Sequence, residues 1–102
     1  MRQSEKVRDY ILENLNEHMT IDTIARQTGA SVSSVQRHFK DHFGITVFDF
    51  IRRERLEAAR NALEERGTTI AQAAYIAGYA NPSNFTTAFK RAYGVSPKHR
   101  RA

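Results

Sequence analysis

Apolar residues recur at intervals of three and four along most of the chain, which is the spacing that places them on one face of an α-helix. Sustained alternation of apolar and polar residues, the pattern of a half-buried strand, does not occur. The pattern therefore predicts an all-α protein. Seven helices are predicted, over about residues 4–17, 21–28, 32–43, 47–66, 69–77, 81–94 and 98–101.

Residues that favour helix ends set these boundaries. Thr20 and Ser31 stand at the expected N-caps of the second and third helices, because their short hydroxyl side chains can accept a hydrogen bond from a free backbone N–H. Thr69 and Gln72 have the spacing of a capping box, and Asn81 precedes a proline at the first helical position. Glycines then close the second to sixth helices, at positions 29, 44, 67, 78 and 94.

The chain contains two copies of one helix–glycine–helix pattern, over residues 20–44 and 69–94. The copies align at an offset of 49 residues up to the glycine in the turn and at 50 residues after it. Identical pairs are Thr20/Thr69, Ile21/Ile70, Ala25/Ala74, Gly29/Gly78, Ser33/Ser83, Phe39/Phe89, Lys40/Lys90 and Gly44/Gly94. We therefore expect one domain over residues 1–102, with a first lobe at about 4–45, a linker helix at 47–66 and a second lobe at about 68–101.

The second helix of each copy is two-faced at 100° per residue. The positions predicted to be buried are Val35, Phe39, His42 and Phe43 in the first copy, and Phe85, Ala88, Phe89, Ala92 and Tyr93 in the second. The outer faces carry short polar side chains near the helix start and basic side chains further along. A helix-turn-helix lays its second helix in the major groove of DNA, so this order suits base edges first and phosphates next.

Each outer residue type has a matching partner on DNA. Arg37 can pair with O6 and N7 of guanine, and Gln36 with N6 and N7 of adenine. Lysines are suited to phosphate, a contact that supplies affinity without sequence information. We predict that bases are read by Ser33, Gln36, Arg37, Ser83, Asn84 and Thr87. Contacts with the DNA backbone are predicted for Lys40, Thr86, Lys90 and Arg91.

The linker helix has the length to serve two lobes. About 20 residues at 1.5 Å each give a rod of roughly 30 Å, close to the roughly 34 Å between successive major-groove segments on one side of B-DNA. Its apolar residues are spread around more than one face, as packing against both lobes requires. These residues are Phe48, Phe50, Ile51, Leu56, Ala59 and Leu63.

Charge is divided unequally along the chain. Residues 1–50 carry six Lys/Arg and seven Asp/Glu, whereas residues 51–102 carry ten and four, a net −1 against a net +6. From Arg66 to the last residue no acidic side chain occurs. A surface of one sign attracts polyanions, so this half favours nucleic acid as a partner.

Two stretches resemble the DNA-binding domain of the AraC/XylS family of bacterial transcription regulators. The sequence IAQAAYIAGYANPSNFTTAFKRAYGVSP at Ile70–Pro97 is similar to the family signature, and FIRRERLEAARNAL at Phe50–Leu63 resembles its linker helix. The resemblance covers about residues 21–101. It implies a homeodomain-like, seven-helix fold of two helix-turn-helix subdomains, binding as a monomeric domain to an asymmetric site. The family's base-reading positions fall on the same six residues that the helical faces expose.

The resemblance also implies partners and a cellular role. We expect double-stranded DNA and RNA polymerase as partners, activation more often than repression, and a place in the bacterial cytoplasm, at the nucleoid. Family members usually carry a separate effector or dimerisation domain. The chain is therefore expected to be the C-terminal DNA-binding domain of a longer regulator, with a small standalone regulator as the alternative.

Other classes of protein fit the sequence less well. No cysteine is present, and His38 and His42 lack a third clustered ligand, so neither a metal nor another cofactor is expected. No nucleophile motif or glycine-rich phosphate loop indicates an enzyme. Apolar runs are too short to cross a membrane, and the first ten residues lack the apolar stretch of a secretory signal. A protein-interaction module remains the main alternative, with the acidic first helix as its surface.

Overall fold

The computed structural model describes residues 1–99, and all the regular secondary structure of this part is helical. Six α-helices are followed by one turn of 3₁₀ helix, and no strand occurs within the described part, which confirms the all-α prediction. The α-helices are α1 (Gln3–Glu13), α2 (Ile21–Thr28), α3 (Val32–Phe43), α4 (Val47–Arg66), α5 (Ile70–Ile76) and α6 (Pro82–Tyr93). The 3₁₀ turn is Pro97–His99.

The predicted capping residues form the expected hydrogen bonds. Thr20 Oγ1 accepts from the backbone N–H of Thr23 at 3.1 Å, and Ser31 Oγ accepts from Ser34 at the same distance. At the start of α5, the Thr69 hydroxyl and the Gln72 side-chain oxygen each accept from the other residue's backbone N–H, at 3.0 and 2.9 Å. These contacts satisfy donors that a helix start would otherwise leave free.

Two helix boundaries differ from the prediction. The first helix ends at Glu13 rather than near residue 17, because Asn14 leaves the helical conformation, with φ of −120°, and its side-chain amide caps the helix by donating to the carbonyl of Tyr10 at 2.8 Å. The seventh helix was expected over 98–101, but the structure has a 3₁₀ turn that begins at Pro97. Proline fixes φ and suits such a short turn. Arg100 and Arg101 lie outside the described residues.

The chain divides into two compact units, and the first is Met1–Ile51. In it α1 packs against both α2 and α3, and the start of α4 completes the core. Phe39 is fully buried at its centre, with ring centroids 4.8 Å from Phe43 and 5.3 Å from Phe50. The other buried apolar residues are Val7, Ile11, Ile24, Ala25, Val35, Val47 and Ile51.

The second unit begins at Arg52 and is built on a core of the same kind. Phe89 is fully buried, with ring centroids 5.7 Å from Phe85 and 4.6 Å from Tyr93. The remaining buried residues of this core are Leu56, Ala59, Leu63, Ala73, Ala74 and Ala77. Helix α4 thus contributes to both cores, as its apolar pattern predicts. Phe48 is an exception, because it is 52% exposed and points about 100° away from the buried side of its helical turn.

The repeat extends beyond the two helices of each helix-turn-helix. Val7 and Ile11 of α1 are fully buried in the first core, and Ala59 and Leu63 of α4, 52 residues later and with the same four-residue spacing, are fully buried in the second. Helices α1 and α4 share few identical residues, so the repeat visible in the sequence did not include them. Each core therefore includes residues of a helix that precedes its helix-turn-helix, α1 in the first unit and α4 in the second, and the start of α4 also contributes to the first core.

Candidate nucleic-acid interface

The turns between the two helices of each unit share a left-handed glycine, although the second turn is longer, over residues 77–81 against 29–31 in the first. Gly29 has φ of 73° and Gly78 of 83°, a left-handed conformation that L side chains rarely adopt. The backbone N–H of the following residue then reaches back to a buried alanine, from Ala30 to Ala25 and from Tyr79 to Ala74, at 2.9 Å in each case. A left-handed glycine and one backbone hydrogen bond to the preceding helix therefore occur before both α3 and α6.

Helix α3 buries Val35 and Phe39 and presents its polar face to solvent. All four predicted contact residues of this helix are exposed, namely Ser33, Gln36, Arg37 and Lys40. The Ser31 cap fixes the start of the helix immediately before them. The residues assigned to bases and the residue assigned to phosphate therefore lie on one accessible face of the first unit.

Helix α6 repeats this arrangement around buried Phe85 and Phe89. Five of its six predicted contact residues are exposed, and Thr86 is half-buried at the edge of the face; the exposed residues are Ser83, Asn84, Thr87, Lys90 and Arg91. Asn81 Oδ1 accepts from the backbone N–H of Ser83 at 2.7 Å, which holds the first turn. Thr87 donates to the carbonyl of Ser83 at 3.1 Å, so its methyl group and hydroxyl have a preferred orientation.

Two residues predicted to be buried in these helices are exposed instead. Ala92 lies on the solvent side of the last turn of α6. His42 stays at the rim of the first unit, where its ring stacks on Phe43 with centroids 4.2 Å apart and its Nδ1 shares a hydrogen bond with the buried Ser4 hydroxyl. A polar ring can satisfy its nitrogens at such a rim more easily than in an apolar core. His38 is also exposed.

The two outer faces differ in charge. On α3 the acidic Asp41 follows Lys40 directly, and both side chains are exposed. On α6 Lys90 and Arg91 stand together in the last turn, and no acidic residue occurs in that helix. The α6 face therefore carries more net positive charge than the α3 face.

A polar cluster that the sequence did not indicate lies at the end of α6. The Tyr93 hydroxyl donates to Glu57 Oε2 at 3.1 Å, and Arg60 pairs with Glu57 Oε1. The guanidinium carbon of Arg60 lies 4.9 Å from the centre of the Tyr93 ring. Burial, together with the hydrogen bond to Glu57 and its charge, raises the pKa of Tyr93 to about 12. The three-residue spacing of Glu57 and Arg60 indicates an ion pair, but nothing in the sequence indicates their contact with Tyr93.

The described residues offer little for other kinds of site. No group of three or more metal-ligating side chains comes together among residues 1–99. No helix in this part of the chain has both the length and the apolar character needed to cross a membrane. Exposed polar faces on α3 and α6 therefore remain the main candidate site.

Comparison with known proteins places the chain among transcription regulators. A family model described as "Helix-turn-helix domain" matches residues 24–102. PqrA of Proteus vulgaris, named a probable transcription factor, is 37% identical over 82 residues, which are 80% of this chain and 67% of PqrA. LumQ of Photobacterium leiognathi, named a probable transcriptional regulator, is 30% identical over 89 residues, which are 87% of this chain. The chain spans only 36% of LumQ.

Solved structures show the same fold. A transcriptional regulator of Chromobacterium violaceum, described as having an AraC-type DNA-binding domain, superposes with a TM-score of 0.90 at 22% identity. The match covers 97% of this chain and 88% of that one. The DNA-binding domain of AdpA, solved in complex with a target DNA, superposes with a TM-score of 0.85 at 24% identity, over 98% of this chain and 91% of that one. At these identities the likeness concerns the fold alone.

Proposed function

Since this chain belongs to the AraC/XylS family of DNA-binding transcription regulators, we propose that it recognises an asymmetric duplex site with two helices, α3 and α6, in successive segments of the major groove. The observation that carries the proposal is the duplicated polar face. Each of the two polar faces follows a turn that contains a left-handed glycine. Each begins with short polar side chains and continues with a lysine. The family and fold are those of regulators and not of enzymes.

The proposed roles follow the chemistry of each exposed side chain. Arg37 and Gln36 have the planar, two-point hydrogen-bonding groups that match guanine and adenine edges. Asn84 and Thr87 would read bases from α6, with the shorter Ser33 and Ser83 at the corresponding helix starts. Phosphate contacts are assigned to Lys40, Thr86, Lys90 and Arg91.

The length of α4 supports the use of both recognition helices. It is one continuous helix of 20 residues, so it measures roughly 30 Å at 1.5 Å per residue. We expect duplexes selected from a random pool to contain two clusters of specified base pairs about 10 base pairs apart, one for each helix. Sequencing of the selected pool measures this spacing. A single short cluster would mean that one helix alone reads the sequence.

We further propose RNA polymerase as the protein partner, and action at the nucleoid in the bacterial cytoplasm. The relative LumQ is much longer than this chain, which supports a role as the DNA-binding part of a larger regulator with its own effector or dimerisation part. A small standalone regulator is the alternative. Stimulation of transcription from a promoter carrying the selected site, by this chain alone, would favour the standalone form.

The division of roles is tested by two alanine substitutions. Arg37→Ala should cost about 1–3 kcal/mol on the selected duplex and relax specificity at one base pair, because a two-point contact with a base edge is lost. Lys90→Ala should weaken binding to selected and random duplexes by the same factor, because it removes a phosphate contact. Fluorescence anisotropy titrations with both duplexes measure the two effects.

The matched control is Arg66→Ala, which removes one exposed positive charge at the end of α4, outside both recognition helices. Arg66→Ala should leave the specificity unchanged and should lower the affinity by a small factor at most. If Arg37→Ala and Lys90→Ala had the same effect on both duplexes, the assignment of base and phosphate contacts would be wrong.

A further inference from the structure

The last turn of α6 contains no predicted base-reading residue. Even so, one of its side chains makes polar contacts with α4 in addition to its packing in the core. Phe85 and Phe89 already form the buried face of the helix. Tyr93, the last helical residue, is half-buried, and its ring packs against Phe89 with centroids 4.6 Å apart. Its hydroxyl donates a hydrogen bond to a carboxylate on α4.

The contacts around Tyr93 form a closed set of three side chains. Glu57 accepts from the Tyr93 hydroxyl with one carboxylate oxygen and pairs with Arg60 through the other. Arg60 also contacts Tyr93, since its guanidinium carbon lies 4.9 Å from the centre of the Tyr93 ring. Each residue therefore orients the other two, and together they connect the end of α6 to the middle of α4.

The first unit shows that the ring alone can fill this place. Phe43 ends α3 at the position equivalent to Tyr93, and Arg8 lies over its ring at 5.7 Å, as Arg60 lies over Tyr93. Phenylalanine has no hydroxyl to donate. The bond from the Tyr93 hydroxyl to a carboxylate is thus a feature of the second unit that core packing does not explain.

We infer that Tyr93, held by Glu57 and Arg60, is a positioning residue that fixes the orientation of α6 for base recognition. The inference rests on the proposed function of α6. Hydrogen bonds to base edges need side chains placed to within about 0.5 Å and 10–20°. The contacts of lysine and arginine with phosphate tolerate larger displacements, because they depend mainly on charge. Loosening the end of α6 should therefore reduce discrimination between sequences more than it reduces affinity for DNA in general.

The test compares binding of a selected duplex and a random-sequence duplex of equal length by wild-type protein and by Tyr93→Phe. We expect the substitution to lower affinity for the selected duplex about three- to tenfold, while affinity for the random duplex and the salt dependence stay unchanged. Glu57→Ala should behave in the same way, and Glu57→Gln, which keeps an acceptor oxygen, should retain part of the discrimination. An equal loss on both duplexes, or no loss on either, would overturn the inference.

Two further measurements keep the result interpretable. Tyr79→Phe removes a hydroxyl from another half-buried aromatic residue of the second unit, and should leave the ratio of affinities unchanged. Hydrogen exchange of the free protein should show faster exchange in the last turn of α6, and not of α3, after Tyr93→Phe. If the wild-type protein bound all duplexes equally well, the proposed function would fail. Hydrogen exchange would then decide by itself whether Tyr93 orders α6. Unchanged exchange after Tyr93→Phe would refute that role.

Discussion

Replacing Phe89 with alanine is expected to lower the free energy of unfolding of the second unit by about 3–5 kcal/mol, the cost of deleting a fully buried aromatic side chain. Phe89 has no exposed surface and packs between the rings of Phe85 and Tyr93. A unit of this size has a small margin of stability. The substitution should therefore unfold much of the unit and abolish DNA binding. Urea denaturation followed by circular dichroism measures the change in stability.

The chain offers matched comparisons for this experiment. Phe39 is the equivalent residue of the first unit and is equally buried, so Phe39→Ala should destabilise that unit to a similar degree. Tyr75 is an aromatic residue of the second unit that is 84% exposed. Tyr75→Ala should shift the free energy of unfolding by no more than about 0.5 kcal/mol. A loss at Phe89 no larger than the loss at Tyr75 would contradict the packing described for α6.

The second large effect is the response to salt. If Lys40, Lys90 and Arg91 each neutralise one phosphate, raising salt from about 50 to about 200 mM should weaken binding to a random duplex roughly 40-fold, with a slope of about −2.7 in a log–log plot. Each phosphate contact releases condensed counterions from DNA, and added salt opposes that release. Anisotropy titrations at several salt concentrations give the slope.

The origin of the salt response can be assigned to the second unit. The double substitution Lys90→Ala with Arg91→Ala should reduce the slope by about 2, whereas Lys40→Ala should reduce it by about 1. The second half of the chain carries the positive excess, so most of the electrostatic affinity should disappear with the first variant. An affinity of the wild-type protein that does not depend on salt would favour the protein-interaction alternative instead.

Most helix boundaries could be predicted because the residues that set them are close together in the chain. The capping bond of Thr69 spans three residues, and Gly29 ends α2 by its own backbone conformation. The exposed faces of α3 and α6 follow from the helical period in the same way. The end of α1 was missed, because Asn14 leaves the helical conformation and caps the helix with its side-chain amide, whereas the apolar pattern would continue the helix.

Burial at the margins of the helices could not be predicted from periodicity alone. The helical period is compatible with burial of Phe48 and His42, yet both side chains are exposed. Whether such a side chain is covered depends on which neighbouring helix reaches it. For His42 the outcome also depends on Ser4, 38 residues away, which supplies a hydrogen-bonding partner at the rim.

The amino-acid order was sufficient to establish the helices, the duplicated turn and the polar faces, because those features arise from interactions within about four residues along the backbone. It did not reveal that α1 and α4 place residues with matching spacing in the two cores, or that Glu57 and Arg60 hold Tyr93. The bond between Tyr93 and Glu57 joins residues 36 positions apart. Such contacts exist only after the helices have packed, since packing alone brings distant side chains within hydrogen-bonding distance.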